Sequence, residues 1–213
     1  SLLRIIFWMA LPTSVVIFFT RGYIVHFIRN TGDQLMAGIL GCLVVAILFR
    51  TIYHMAARAF YARQDTKTPL YISVFSISLN IALAIILTMN LNMGAYGLAW
   101  AQSTVAVFEV VILLLVMSKQ MPRMFNRSFV TAIGKMIAAS AVAGVVCYIG
   151  VSVMPFRDTD SSFFSAFPKF TIISIVSFGV YLLMSKLLRL PEVDPILKKG
   201  KKLLFGRLDG VWR

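Results

Sequence analysis

Glu109 stands inside an otherwise apolar run, with Gln102 seven positions before it and so two helical turns away on the same face. An ionised side chain at the centre of a membrane helix costs roughly 2.5–3.5 kcal/mol on insertion scales, so it needs a partner or a task. Arg50, His54 and Arg58 recur every four residues and form a cationic stripe along one face of another apolar run. Arginine offers a planar donor fork matched to phosphate oxygens, so the stripe suits an anionic head group such as a pyrophosphate. The alternative is purely structural, with Arg50 neutralising Glu109 and Arg58 reaching up to the interface. Arg50 lies about 7 Å past the midpoint of its run, at 1.5 Å per residue, which brings it within a turn of Glu109 in depth and predicts that the two pair. Asn80, Ser103 and Thr104 supply neutral oxygens for a cation, although helix-to-helix hydrogen bonding is the more frequent use of such residues.

Bond chemistry finds little support. No nucleophile elbow, P-loop, His-Glu-x-x-His helix or paired-aspartate phosphate motif occurs, and His26 and His54 are the only histidines. Cys42 and Cys147 both sit in apolar stretches, which argues against a disulfide framework or a metal site. Neither an enzyme nor a cofactor is expected.

The elements that carry these residues are membrane helices. Of 213 residues, 59% are hydrophobic and 14% charged, where a soluble domain carries about 25% charged. A hydrocarbon core about 30 Å thick needs about 20 apolar residues in helix. Six runs meet this, near Leu2–Phe19, Gln34–Ala57, Leu70–Met89, Leu98–Met117, Thr131–Val153 and Phe167–Leu188. The fold class is an all-α polytopic membrane protein with six transmembrane helices. The net charge of +13 punctuates these runs, so it reads as topology and not as a nucleic-acid surface. Seventeen Lys/Arg collect on one side and four on the other, Arg21, Arg29, Arg157 and Lys169, beside Asp33, Asp158 and Asp160. Both termini are therefore expected in the cytoplasm. Residues 1–118 form a four-helix part, 119–188 two further helices and 189–213 a basic tail, whose lysines suit anionic lipids. The chain begins without Met and enters an apolar run at once, so a fragment of a longer protein is expected.

Local punctuation places the turns. In Asp65-Thr66-Lys67-Thr68-Pro69, Thr68 is the expected cap and Pro69 the first helical residue, giving a tight hairpin. Residues 90–97, rich in Asn and Gly, make the opposite turn because these residues tolerate positive φ. Pro12 lies inside the first run and removes a helical hydrogen bond there. The fifth run holds Gly134, Ala138, Ala139, Ser140, Ala143, Gly144 and Gly150, a set suited to close helix packing or to a groove for a lipid tail.

The segment Phe60-Tyr61-Ala62-Arg63-Gln64-Asp65-Thr66-Lys67-Thr68-Pro69, then Asn80, then Gly94-Ala95-Tyr96-Gly97-Leu98-Ala99-Trp100-Ala101, resembles the "FYA-x-x-DTKTP … N … G-x-x-GLA-x-A" pattern of the MurJ/MviN lipid II flippases. Arg21-Gly22-Tyr23, after a helix bearing Pro12, resembles that family's "P … RG-x-F" segment. The resemblance is strong over residues 2–117 and weaker to 188. It implies the last six helices of a fourteen-helix transporter of the multidrug/oligosaccharidyl-lipid/polysaccharide exporter superfamily, in which two lobes move lipid-linked peptidoglycan precursor across the inner membrane by alternating access. The second run would line the cavity and show Arg50 to the head group, and the last two would border a groove for the polyprenyl tail. The family's other cavity arginines lie in its first eight helices, so the missing N-terminal half or a partner chain would have to supply them. Readings left open are an exporter of another polyprenyl-linked glycan or an organic cation, and a non-transporting membrane scaffold.

Overall fold

The computed structural model describes residues 2–29, 33–120, 127–154, 163–190 and 193. They form six long helices: α1 (Leu2–Arg29), α2 (Gln34–Tyr61), α3 (Lys67–Ile85, continued by a π-helical turn over Ile86–Asn90), α4 (Gly94–Gln120), α5 (Arg127–Val153) and α6 (Phe163–Leu187). Each is long and apolar enough to cross a bilayer. The expected contact of the basic tail with anionic lipid falls on residues outside those described, as do Arg123, Arg157, Asp158 and Asp160.

The helices pack in an order different from that of the chain. α3 lies on α4, α4 on α2, α2 on α1, and α1 on both α5 and α6, which also pack together; the sequence neighbours α2 and α3 touch only marginally. α1 therefore joins the α2–α4 group to the α5–α6 pair. Its interface with α5 uses the small residues of the fifth run: Ala139 and Ala143 are buried, and a Cβ at Gly144 would stand 3.0 Å from Val15. Close backbone approach is what small residues provide where lipid tails offer no hydrophobic drive to association.

α1 runs on to Arg29, well beyond the expected Phe19. The polar residues that ended the apolar run are all accommodated within helix. Thr20 is buried and returns its hydroxyl to Val16 O at 2.7 Å, Arg21 lies 4.7 Å over the Phe18 ring, and Tyr23 donates to Met154 O. Pro12, also buried, leaves Trp8 O without the helical donor four residues on. Tyr181 of α6 supplies the missing donor at 2.7 Å, and Ser185, one turn along, accepts from the Trp8 indole N–H at 3.1 Å. In lipid a freed carbonyl must be satisfied from within the protein.

The hairpin between α2 and α3 is capped by a residue other than the one expected. Asp65 accepts from the Thr68 hydroxyl at 2.7 Å and from the Thr68 amide at 3.1 Å, so Thr68 donates where it was expected to accept. Pro69 sits in the first turn of a helix opening at Lys67, where its missing N–H has no helical partner to lose. The Thr68 hydroxyl, then its amide, hold the Asp65 carboxyl below the ordinary carboxylate range. Because the folded value is the lower one, this cap contributes its full stabilisation above the unfolded value and loses it as pH falls through the folded one. Asp65→Asn is expected to flatten that acid-side slope in thermal unfolding, with the neutral-pH midpoint lowered. The opposite turn matches expectation, with Asn92 and Gly94 at φ 51° and 54°.

Candidate functional site

The candidate site lies between α2, α3 and α4, where a cavity of about 170 Å³ is lined by Arg50, Tyr53, His54, Ser73, Ser76, Ile77, Asn80, Val105 and Glu109. At about 30 Å³ per water it holds on the order of five waters, room for a phosphate-sized group and not for a glycan. Two sequence features build it. Arg50 and His54, one turn apart on α2, turn exposed side chains toward it. α3 faces it with Ser73, Ser76 and Asn80, spaced by three and four residues, a polar stripe on a helix otherwise bare to lipid along Leu70, Val74 and Ile81.

Glu109 enters from α4, only 9% exposed, and accepts from the Ser73 hydroxyl at 3.4 Å. Ser73 is 2.6 Å from the Tyr53 hydroxyl, which also reaches Pro69 O at 3.2 Å. Arg50 and Glu109 thus share one cavity, as their matched depths predict, but among the described residues they form no closed ion pair. The guanidinium faces the cavity instead. Its donor fork is available to an anion, and Glu109 is hydrogen-bonded to Ser73.

The other candidates divide. Gln102 accepts from the Asn80 side-chain amide at 2.5 Å, fastening α4 to α3 at one edge of the cavity. Arg58 continues the stripe one turn beyond His54, exposed, in the last turn of α2 and outside the cavity. Ser103 is buried and donates to Cys42 O of α2 at 2.6 Å, and Thr104 is half-buried away from the cavity. Asn80, Ser103 and Thr104 therefore do not converge on one point. Among the described residues no cluster of His, Cys, Asp and Glu suits a metal ion. Tyr53 and Ser73 escaped sequence reasoning. The signal was the Ser73/Ser76/Asn80 spacing, with Tyr53 three residues from Arg50.

A second feature is apolar. A groove of about 280 Å³ runs between α1 and α5, lined by Val15, Phe19, Ser140, Ala141, Gly144, Val145 and Tyr148. The small side chains of α5 leave it open.

Comparison with known proteins gives the family. Residues 1–185 match the family described as Lipid II flippase MurJ. A probable lipid II flippase MurJ of Thermotoga maritima is 30% identical over 164 residues, covering 77% of this chain and 30% of the relative. Its namesake in Borreliella burgdorferi is 26% identical over 125 residues, 55% of this chain and 24% of the relative. That of Rhizobium tropici is 20% identical over 207 residues, 94% of this chain and 38% of the relative. The chain thus spans 24% to 38% of the length of the curated relatives it matches. With a family match over most of its length and six helices able to span a bilayer, the chain belongs to the MurJ lipid II flippase family and is a multi-pass protein of the bacterial inner membrane.

Proposed function

We propose that these helices are the C-terminal part of a lipid II flippase, and that they hold the diphosphate of the lipid-linked peptidoglycan precursor while it crosses the membrane by alternating access. The observation that carries this reading is Arg50, an arginine in the body of a membrane helix that faces a cavity with no closed ion pair. Arg50, His54 and Arg58 step along α2 at intervals of about 6 Å, a ladder from the cavity toward the hairpin end of the helix. Diphosphate oxygens move along such a ladder from one donor set to the next without meeting bare hydrocarbon. The α1–α5 groove takes the polyprenyl tail, keeping it in an apolar channel while the head group travels in the polar one. The other cavity wall comes from helices outside this chain, either the N-terminal half of the same protein or a partner. Transport of this kind makes no bonds; it proceeds by differential stabilisation of inward- and outward-open states.

In cells depleted of their own flippase, the native gene is expected to restore growth and precursor translocation. Arg50→Gln should lower that rescue severalfold at unchanged membrane abundance. Undiminished rescue by Arg50→Gln would assign Arg50 a merely structural part.

A further inference from the structure

Four oxygens from three helices stand in an unbranched line: Glu109 Oε1, Ser73 Oγ, Tyr53 Oη and Pro69 O, separated by 3.4, 2.6 and 3.2 Å. The carbonyl at one end can only accept, and each of the two hydroxyls brings a single proton. Three links need three protons. With Glu109 ionised the line holds two, and one link is left as facing lone pairs in a part-buried place, where such a mismatch costs more than in bulk water. With Glu109 protonated every link has its donor, running from Glu109 to Ser73, from Ser73 to Tyr53 and from Tyr53 to Pro69.

We propose that Glu109 is a proton-binding site, and that Ser73 and Tyr53 convey its protonation state to Pro69 at the base of the α2–α3 hairpin. The proton comes from water in the cavity. Facing Glu109 from α2 are Arg50, Tyr53 and His54; α3 presents only the neutral Ser73, Ser76 and Asn80. Neither Arg50 nor His54 makes a hydrogen bond or closed ion pair to the carboxylate among the described residues. Loss of the proton reverses the line, so that Tyr53 donates to Ser73 and Ser73 to Glu109, and Tyr53 lets go of Pro69. That link is one of few between α2 and α3, which otherwise barely touch. Its role in transport rests on the reading of Arg50 given above: an anion drawn to Arg50 screens the guanidinium from Glu109 and favours the protonated line. The proton site itself rests on the hydrogen-bond line alone.

The product of the native gene, labelled with carboxyl-¹³C glutamate and held in lipid nanodiscs, is examined by infrared spectroscopy, and the Glu109 contribution is isolated as the difference from Glu109→Gln. The proposal expects a labelled carboxylic-acid carbonyl band at neutral pH that is absent from Glu109→Gln, an isostere of the protonated acid. Ser73→Ala should move the band, because the acid loses its acceptor. Raising the pH should abolish it together with a shift in the Tyr53 ring modes, a shift missing from Glu109→Gln. A Glu109 label found ionised at neutral pH, or a band that survives in Glu109→Gln, would overturn the proposal. Added inorganic pyrophosphate separates the two readings: with the acid band established, its insensitivity to pyrophosphate counts against anion binding at Arg50 and leaves the proton site standing.

Discussion

Tyr181→Phe is expected to destabilise the helix bundle by about 1–2 kcal/mol, and Pro12→Ala made in the same chain to recover most of that loss. The two residues are 169 positions apart in sequence and meet at a single oxygen. Pro12 cannot donate to Trp8 O, and the Tyr181 hydroxyl does so from α6 at 2.7 Å. Phenylalanine keeps the ring that packs 5.5 Å from the Trp8 indole and removes only the donor, leaving a buried carbonyl without a partner in a region lipid cannot satisfy. Alanine at position 12 restores the helical N–H, so the carbonyl no longer depends on Tyr181. A double-mutant cycle by thermal unfolding in detergent should therefore show coupling of about 1 kcal/mol. Additive losses would mean that the Tyr181 hydroxyl is not standing in for the proline.

Gly97→Ala is expected to cost about 1–3 kcal/mol for a single methyl group. A Cβ there would lie 2.8 Å from the Leu87 carbonyl carbon, 2.9 Å from its oxygen and 3.0 Å from the Thr88 nitrogen. All three are backbone atoms of the π-helical turn, and none can rotate aside as a side chain would. α4 must then move away from the end of α3, opening the contact that holds the polar stripe of α3 against Glu109. Gly134→Ala is the matched control, since a Cβ there meets nothing within 4 Å. Alanine also suits a helix better than glycine by up to about 1 kcal/mol, so the control should be neutral or stabilising. Equal losses at the two positions would rule out close backbone contact as the cause.

The helices were legible in the residues because hydropathy reports spans, and rise per residue put Arg50 and Glu109 at one depth, but the ion pair expected of them does not form. Positive φ at Asn92 and Gly94 followed from residue type, the short polar side chain of one and the missing Cβ of the other. The length of α1 did not, since Thr20 and Arg21 look like a span's end until the Val16 carbonyl and the Phe18 ring that accommodate them are in place. The cap expected at Thr68 lies at Asp65 instead, because Asp65 and Thr68 are both good capping residues and only geometry says which accepts. Arg50 and Glu109 share a depth, but depth is blind to rotation about α2 and α4. Only packing showed the carboxylate bound to Ser73 and the guanidinium left to the cavity. Contacts such as Tyr181 to Trp8 join distant parts of the chain and leave no local periodicity.

Arg50 as the contact for a diphosphate is the claim on which the functional account turns, and photolabelling addresses it most directly. A lipid II analogue with a photoreactive group beside its diphosphate, activated on membranes carrying the product of the native gene, should attach to the α2 peptide containing Arg50 and His54. Arg50→Gln should suppress that labelling. Attachment confined to other helices, with α2 unlabelled in the unsubstituted protein, would contradict the account.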